Sequence, residues 1–599
     1  MSESFQKIRE LDGKQLYYSF LSGAQRIFEN QKLLNRINVF PVNDADTGTN
    51  LASTMRSIMD AIIPTDNAKE TAVALADAAL TGARGNSGII FAQFLYGFSN
   101  EIKNTQTLDI KSFAESMRSA VTYAYEAIAN PVEGTILTVI KDWAEYLYAF
   151  KDIIDDFIKL LLEAFERAQQ SLAETTGKLE ILARSHVVDA GAKGFVVFLE
   201  GFIDFFTKGG SKAIPETAES LPADTANVIS HDVITFRYCT EALITGTNLD
   251  KSRILQAIQT CGDSQVVAGS PKKMRVHIHT DHPAELFTYL RKFGNITYQK
   301  VDDMVMQNEI LEHRISGVAI LTDSSCDLPK EMLDAHQIHM IPLNLQFGDT
   351  LYLDRVTIQP QQFYDLLRKS DENPSTSQAS IKEFQNKYEY LTSHYDSVIA
   401  VNVSKGLSGT FNSSERAAEE IAGRTGKEIS VLNSRSVSGG LGLLILRLTE
   451  AIEGGATHEE MLPKIEEWIS KLEARVTVTT LKYITRSGRV SQFKSFVARV
   501  LDLKPVISFD DEGRTFLSSK SFSEKASLRK VMRDIERIVQ NHKLWGYAIT
   551  HAENAETAEW LAARMEALTG MKPAFTGDAS PALAANAGPG VACIAILPE

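Results

Sequence analysis

The chain has 599 residues, a formal net charge of −14, and 44% hydrophobic and 23% charged residues. It is too long for one hydrophobic core and carries no biased tract, so several globular domains are expected. The acidic balance argues against nucleic acid or an anionic membrane surface as a partner, because both would repel it.

Residues 1–207 read as helix after helix. ETAVALADAAL (70–80) and DIIDDFIKLLLEAFERAQQSLAE (152–174) repeat apolar residues at three- and four-residue spacing, and Ile154, Phe157, Leu161, Phe165 and Ala168 would share one face. KGGSKAIPETAESLPADTAN (208–227) reads as a linker. Over 228–310, ISHDVITFRYCTEALI, SQVVAGS and KMRVHIHT alternate like strands between helical stretches, which predicts a small α+β middle domain. Over 316–599, SGVAILTDSS, SVIAVNVS, EISVLNS and WGYAITHA are short apolar runs, each followed by a turn and a helical segment, the pattern of a parallel α/β sheet. From about residue 472 strands and helices mix. The expected fold is thus multidomain: all-α, then α+β, then a two-lobed α/β module.

MSESFQKIRELDG lacks a cationic segment followed by an apolar core, so no signal peptide is expected. FVVFLEGFIDFF (195–206) is too short and too acidic for a membrane helix. Cys239, Cys261, Cys326 and Cys593 are far apart and form no CxxC, which fits free thiols in a reducing cytoplasm.

In FPVNDADTGTN (40–50), Asp44 and Asp46 stand two apart directly before a helical run. Two readings stand side by side. Asp and Thr cap helices through free backbone N–H groups. Alternatively, two carboxylates on one bend hold Mg²⁺, which takes hard oxygen ligands from protein and phosphate. TGARGNSGII (81–90), NPVEGTILTVI (130–140) and VVDAGAKGF (187–195) are further Gly-containing breaks before helices. Each alone reads as an ordinary turn; together they suggest helix ends converging on one ligand.

The set NVFPVNDADTGTN, LTGARGNSGII, NPVEGTILTV and VVDAGAKGF resembles the nucleotide-binding L-type domain of dihydroxyacetone kinases, in the version found in bacterial fatty acid kinases. The resemblance implies an antiparallel helical barrel with ATP and Mg²⁺ at one end. It implies that Asp44 and Asp46 are catalytic and ligate Mg²⁺, with Thr49 and Asn50 beside them. Gly85, Ser87 and Gly88 would contact phosphate, and Thr135, Leu137, Asp189 and Gly191 would lie around the nucleotide. Dihydroxyacetone kinases carry a third Asp upstream of the pair; the nearest counterpart here is Asn38, a neutral oxygen ligand at best. Neither a Walker A sequence nor GxGxxG is present in this region.

RVHIHTDHP (275–283) places His277 and His279 on one strand face, with His282 after a turn and Cys239 on an earlier strand. Cysteine with two or three histidines is a zinc-capable set, and a polar or hydrogen-bonded strand face is the alternative. The surrounding stretch resembles the middle domain of fatty acid kinases, which supports assembly and activity there.

TDSSCDLP, IPLNLQFGDTLYLD, TSQAS, KGLSGT, NSRSVSGGLG, LKYITRSGRVSQ, LDLKPVISFDDEGR and the final GPG resemble the DegV fatty-acid-binding family over 316–599. In the residues alone, Asp323 and Asp327 read as caps or braces, and Ser408 as a turn residue or a head-group ligand. The resemblance implies that Thr376, Ser377 and Ser408 bind a fatty acid carboxylate with Arg486 or Arg489 near it. It also marks two departures: Asn586 where the family usually has His, and Asn433 where it often has Asp.

Together these features predict an ATP- and Mg²⁺-dependent kinase that phosphorylates a fatty acid, or a related lipid carboxylate, to an acyl phosphate. It would be a cytoplasmic homodimer with zinc as a further candidate in the middle domain, and without nucleic-acid or stable membrane partners. The alternatives are a kinase for a small hydroxy ketone such as dihydroxyacetone, and a lipid-binding regulator that only senses nucleotide.

Overall fold

The computed structural model describes residues 7–40, 46–103, 106–208, 234–487 and 503–599. Asp44, Arg489 and the expected linker beyond Lys208 lie outside the described residues. The chain divides into two units, Met1–Val305 and Met306–Glu599.

Among the described residues the first unit begins with nine helices: α1 (Gly13–Arg36), α2 (Thr47–Ala61), α3 (Ala68–Gly82), α4 (Gly85–Glu101), α5 (Ile110–Glu126), α6 (Ile136–Phe150), α7 (Phe157–Lys178), α8 (Glu180–Ser185) and α9 (Ala190–Thr207). A two-residue pair, β1 (Glu10–Leu11) with β2 (Leu108–Asp109), accompanies them. α1 and α9 pack closely because two glycines open the contact. A Cβ on Gly23 would lie 2.6 Å from the Phe198 ring, and one on Gly201 2.3 Å from the Ser22 carbonyl oxygen. Phe20 then meets Phe198 and Phe202 edge-on at 5.2 and 5.7 Å, a favoured aromatic geometry.

One helix differs from expectation. The periodic run from 152 is not helical until Phe157, because the Asp156 carboxylate accepts the Ile158 N–H at 3.2 Å and caps the helix there. Ile154 precedes the helix, though it is buried in the same core.

The unit continues as a four-stranded antiparallel sheet in the order β4 (Asp263–Ser270), β5 (Lys273–Thr280), β3 (Tyr238–Thr245), β6 (Asn295–Asp303), with α10 (Lys251–Ile258) and α11 (Pro283–Leu290). Strand alternation gives the sheet two unlike faces. Ala242, Ile244, Val276 and Ile278 pack on Ile254, Ile258, Phe287 and Leu290. The opposite face packs on the helices: Val266 and Ala268 belong to the helical core. The β4 edge is covered as well, since Val267 N–H donates to the Ala127 carbonyl at 2.8 Å and Gly269 N–H to Gln93 Oε1 at 2.7 Å.

The second unit holds a parallel sheet ordered Glu428–Asn433, Ser397–Asn402, Val318–Asp323, His339–Ile341. A six-stranded sheet follows, ordered Thr515–Ser519, Val506–Phe509, Glu473–Thr477, Ala592–Pro598, Leu544–His551, Phe575–Asp578, in which only the last pair is parallel. The helix Gly439–Glu453, GGLGLLILRLTEAIE, is apolar on nearly all sides and lies in the core between these sheets, beside Ile320, Val401, Ala548 and Ala595. A third, three-stranded antiparallel sheet orders Thr350–Leu353, Asn344–Phe347 and Ser375–Ser377. A helix, Met304–His313, covers most of the stretch 305–315. No described helix is long and apolar enough to cross a membrane.

Candidate functional site

The breaks between helices meet at one end of the helical domain. Gly85 opens α4 with φ 55°, and a Cβ there would lie 2.2 Å from Asn50 Nδ2. A Cβ on Gly191, in the first turn of α9, would lie 2.6 Å from Ser87 Oγ and 3.4 Å from both Asp189 Oδ1 and the Ile136 Cβ. Gly88 is pressed against Thr54 in the same way, at 2.8 Å. The starts of α2, α4, α6 and α9 therefore converge, and the close approach needs glycine at those points.

The acidic bend is braced from α1. Thr49 N–H donates to Asn35 Oδ1 at 3.0 Å, and its Oγ1 accepts from Gln31 and Asn35 at 3.1 and 3.0 Å. Asn38 is buried, with its Oδ1 taken by Thr47 Oγ1 at 2.7 Å. Asp46 immediately precedes α2 yet makes no side-chain hydrogen bond to that helix N-terminus, so capping does not explain it. Asp189 does cap: it accepts the Ala192 N–H at 2.7 Å, and burial pushes its carboxyl up to about 6. Thr135 is half-buried and donates to the Val132 carbonyl at 2.8 Å. Leu137 is a core side chain, 1% exposed.

The second face of the middle sheet brings a polar cluster together. Register places Cys239 opposite His279 and Glu241 opposite both His277 and Lys300. One ligand atom each from Cys239, His277 and His279 lies within 4.8 Å of the others, and all three residues are buried. His277 Nε2 is buried with no hydrogen-bond partner. Exposed His282 stands outside this group, at the start of α11.

Glu241 is fully buried. Its Oε1 accepts the Gly85 N–H at 2.6 Å, and its Oε2 accepts from Arg275 Nη2 at 2.9 Å. Burial works to raise this carboxyl, but Arg275, His277 and Lys300 outweigh it and hold it well below the usual carboxylate range. Burial pushes the Cys239 thiol well up, and the charge of Asp46 acts in the same direction, so the acidic bend lies within electrostatic reach of the cluster.

In the second unit a cavity of about 150 Å³ is lined by Thr376, Ser377, Ser408 and Asn586 together with Leu343, Val403, Leu407, Val437, Ile507, Phe509 and Leu583. Asn586 Nδ2 donates to Thr376 Oγ1 at 3.1 Å and to the Ala582 carbonyl at 2.7 Å. Ser408 Oγ lies 2.8 Å from Thr410 Oγ1. Arg486 does not line the cavity; it bonds Asn373 and lies over Tyr483. Two buried carboxylates secure the helix Pro581–Ala587 that carries Asn586. Asp327 accepts the Ser580 N–H and Asp354 the Ala582 N–H, each at 2.9 Å.

Three family models match along the chain: the DAK2 domain over residues 41–204, the FakA-like middle domain of fatty acid kinases over 235–311, and the uncharacterised proteins of the DegV family over 317–599. The chain carries a DAK2 domain, a FakA-like middle domain and a DegV-family domain in one polypeptide. Curated relatives include an uncharacterized protein of Staphylococcus epidermidis, 33% identical over 328 residues (52% of this chain, 58% of that one). Protein YloV of Bacillus subtilis is 32% identical over 314 residues (50% and 57%). The chain thus spans under two thirds of the length of the curated relatives it matches. Among solved structures, DegV of Bacillus subtilis, described as a fatty acid binding protein, aligns at 27% identity over 47% of this chain and 100% of that one, with a TM-score of 0.44. A DegV family protein from Thermus thermophilus, described by its fatty acid binding, aligns at 25% identity over 47% and 99%, also with a TM-score of 0.44.

In the DAK2 and middle domains of the fusion, sequence reasoning missed Glu241, Arg275 and Lys300. A signal was present: Cys239 and Glu241 in YCTEALI, and Arg275, His277 and His279 in RVHIH, put polar groups at alternate positions of otherwise apolar strands. In the DegV domain the expected hydroxyls line the cavity, whereas the bonds by which Asp327 and Asp354 hold the Asn586 helix were not foreseen.

Proposed function

We propose that the chain is an ATP- and Mg²⁺-dependent kinase that phosphorylates a fatty acid held by its DegV domain, giving an acyl phosphate and ADP. The observation that carries this reading is the convergence of the acidic bend with the Gly85, Ile136 and Gly191 helix starts in a chain that also contains the hydroxyl-lined apolar cavity. Four helix N-termini offer backbone N–H groups to an anion. A fatty acid carboxylate is already ionised near neutral pH, so no general base is required. One of its oxygens bonds the γ-phosphorus as the bond from that phosphorus to the ADP oxygen breaks. Asp46, which does not cap α2, fits a Mg²⁺ ligand; the ion would neutralise phosphate charge. Fusion raises the effective concentration of the lipid for the kinase domain.

The Cys239, His277 and His279 set fits zinc by donor type, by mutual distance and by the unpartnered His277 nitrogen. Elemental analysis of the purified full chain is expected to find about one zinc per chain, and less than about a tenth of an equivalent would leave the cluster as a buried polar contact.

Mass spectrometry of an organic extract of the purified chain tests the lipid half of the reading and is expected to return a fatty acid. Ser408→Ala should weaken its binding by about 1–3 kcal/mol through an unpaired carboxylate oxygen. Undiminished binding in that variant would remove Ser408 from the head-group site. Failure of the wild type to bind any fatty acid would overturn the substrate class.

A further inference from the structure

We infer that Glu241 is a positioning residue for the nucleotide site: a middle-domain carboxylate that fixes the start of α4, so that phosphate binding by the helical domain depends on the middle domain. The inference rests on reading the helical end as the nucleotide site. Glu241 sits on β3, 156 positions along the chain from Gly85, and accepts that residue's N–H at 2.6 Å. Gly85 has a positive φ and is wedged on its other side by Asn50, whose N–H donates to the Asp46 carbonyl at 2.8 Å. Glu241, Gly85, Asn50 and Asp46 therefore form one chain of contacts from the sheet to the acidic bend.

The chemistry suits positioning. The α4 helix has 17 residues, and its first N–H groups have no intrahelical partner. Glu241 takes one of these and so holds the first turn of α4 in place against the sheet. A carboxylate beside a phosphate would normally repel it. Here Arg275, stacked at 4.3 Å over Tyr298, offsets that charge through its 2.9 Å bond to Glu241. The buried, unpartnered His277 nitrogen is a second sign that this face is built around a ligand rather than closed on itself. Glu241 touches no reacting atom in this arrangement; it acts through Gly85.

The test uses the full chain and three variants, E241Q, E241D and E241A, with MgADP titration and with KM for ATP, KM for fatty acid and kcat measured separately. E241Q keeps an oxygen acceptor for Gly85, whereas E241D is one methylene short. We expect the ATP KM and the MgADP dissociation constant to rise about tenfold in E241D and E241A, to return to within about threefold of wild type in E241Q, and the fatty acid KM to stay unchanged. A purely structural role would lower the melting temperature and leave the ATP KM of the folded fraction unchanged, which overturns the inference. If E241A does not fold, the E241D and E241Q pair decides. Wild type that binds no MgADP removes the nucleotide reading and this inference together; wild-type binding with an unchanged E241D overturns the inference alone.

Discussion

Asp46→Asn is expected to lower ATP turnover by about a thousandfold at saturating Mg²⁺ while leaving the helical domain folded. The substitution keeps size and shape and removes one negative charge. A structural role would show as lost helix stability; the Asp46 side chain makes no capping bond to α2. Its charge acts on Cys239, His279 and Lys300 of the middle sheet. ADP release measured beside the circular dichroism spectrum separates the two effects. Turnover equal to wild type in a folded variant would take the acidic bend out of the chemistry.

The DegV domain should become more stable as pH falls from 8 to 6, by about 2 kcal/mol. Burial pushes the Asp327 carboxyl up to about 7 and that of Asp354 up to about 6. The unfolded chain binds these protons only near pH 4. The folded state therefore holds more protons than the unfolded state across this window, and the stability they confer is lost as pH rises through 6 and 7. Hydroxyls beside both carboxylates accommodate the change: Ser438 Oγ lies 2.5 Å from Asp327 Oδ2 and 2.6 Å from Thr550 Oγ1, and Ser324 Oγ 2.5 Å from Asp354 Oδ2. A protonated carboxyl can donate where the hydroxyl donated before. Asp327→Asn should keep the Ser580 bond and flatten most of the dependence. Urea denaturation of both proteins at pH 6, 7 and 8 reads it, and the same pH slope in the variant would rule Asp327 out as its source.

Much of this was legible locally. The four Gly-containing breaks announced convergence because glycine is required where a Cβ would strike Asn50 or Ser87. The parallel sheet of the DegV domain was readable from SGVAILTDSS, SVIAVNVS and EISVLNS, whereas WGYAITHA, read with them, lies in the six-stranded sheet, antiparallel to Ala592–Pro598 and parallel to Phe575–Asp578. The start of α7 was misplaced because apolar spacing continues through Ile154, and only the Asp156 cap ends it. Leu137 and Asp189 sit in a motif of the right kind, yet one is packed into the core and the other caps α9. Arg486 turns to Asn373, a partner 113 positions away that no local pattern reveals. Glu241 stands out locally as a polar position in an apolar strand, but its partner Gly85 lies 156 positions away and no local pattern pairs the two.

The most direct measurement incubates the purified full chain with ATP, Mg²⁺ and a fatty acid, then traps acyl phosphate with hydroxylamine. Fatty hydroxamate should appear in step with ADP and vanish in Asp46→Asn. ADP formed without hydroxamate, phosphorylation of dihydroxyacetone in place of the fatty acid, or bound fatty acid with no ATP consumed would each contradict the proposed reaction.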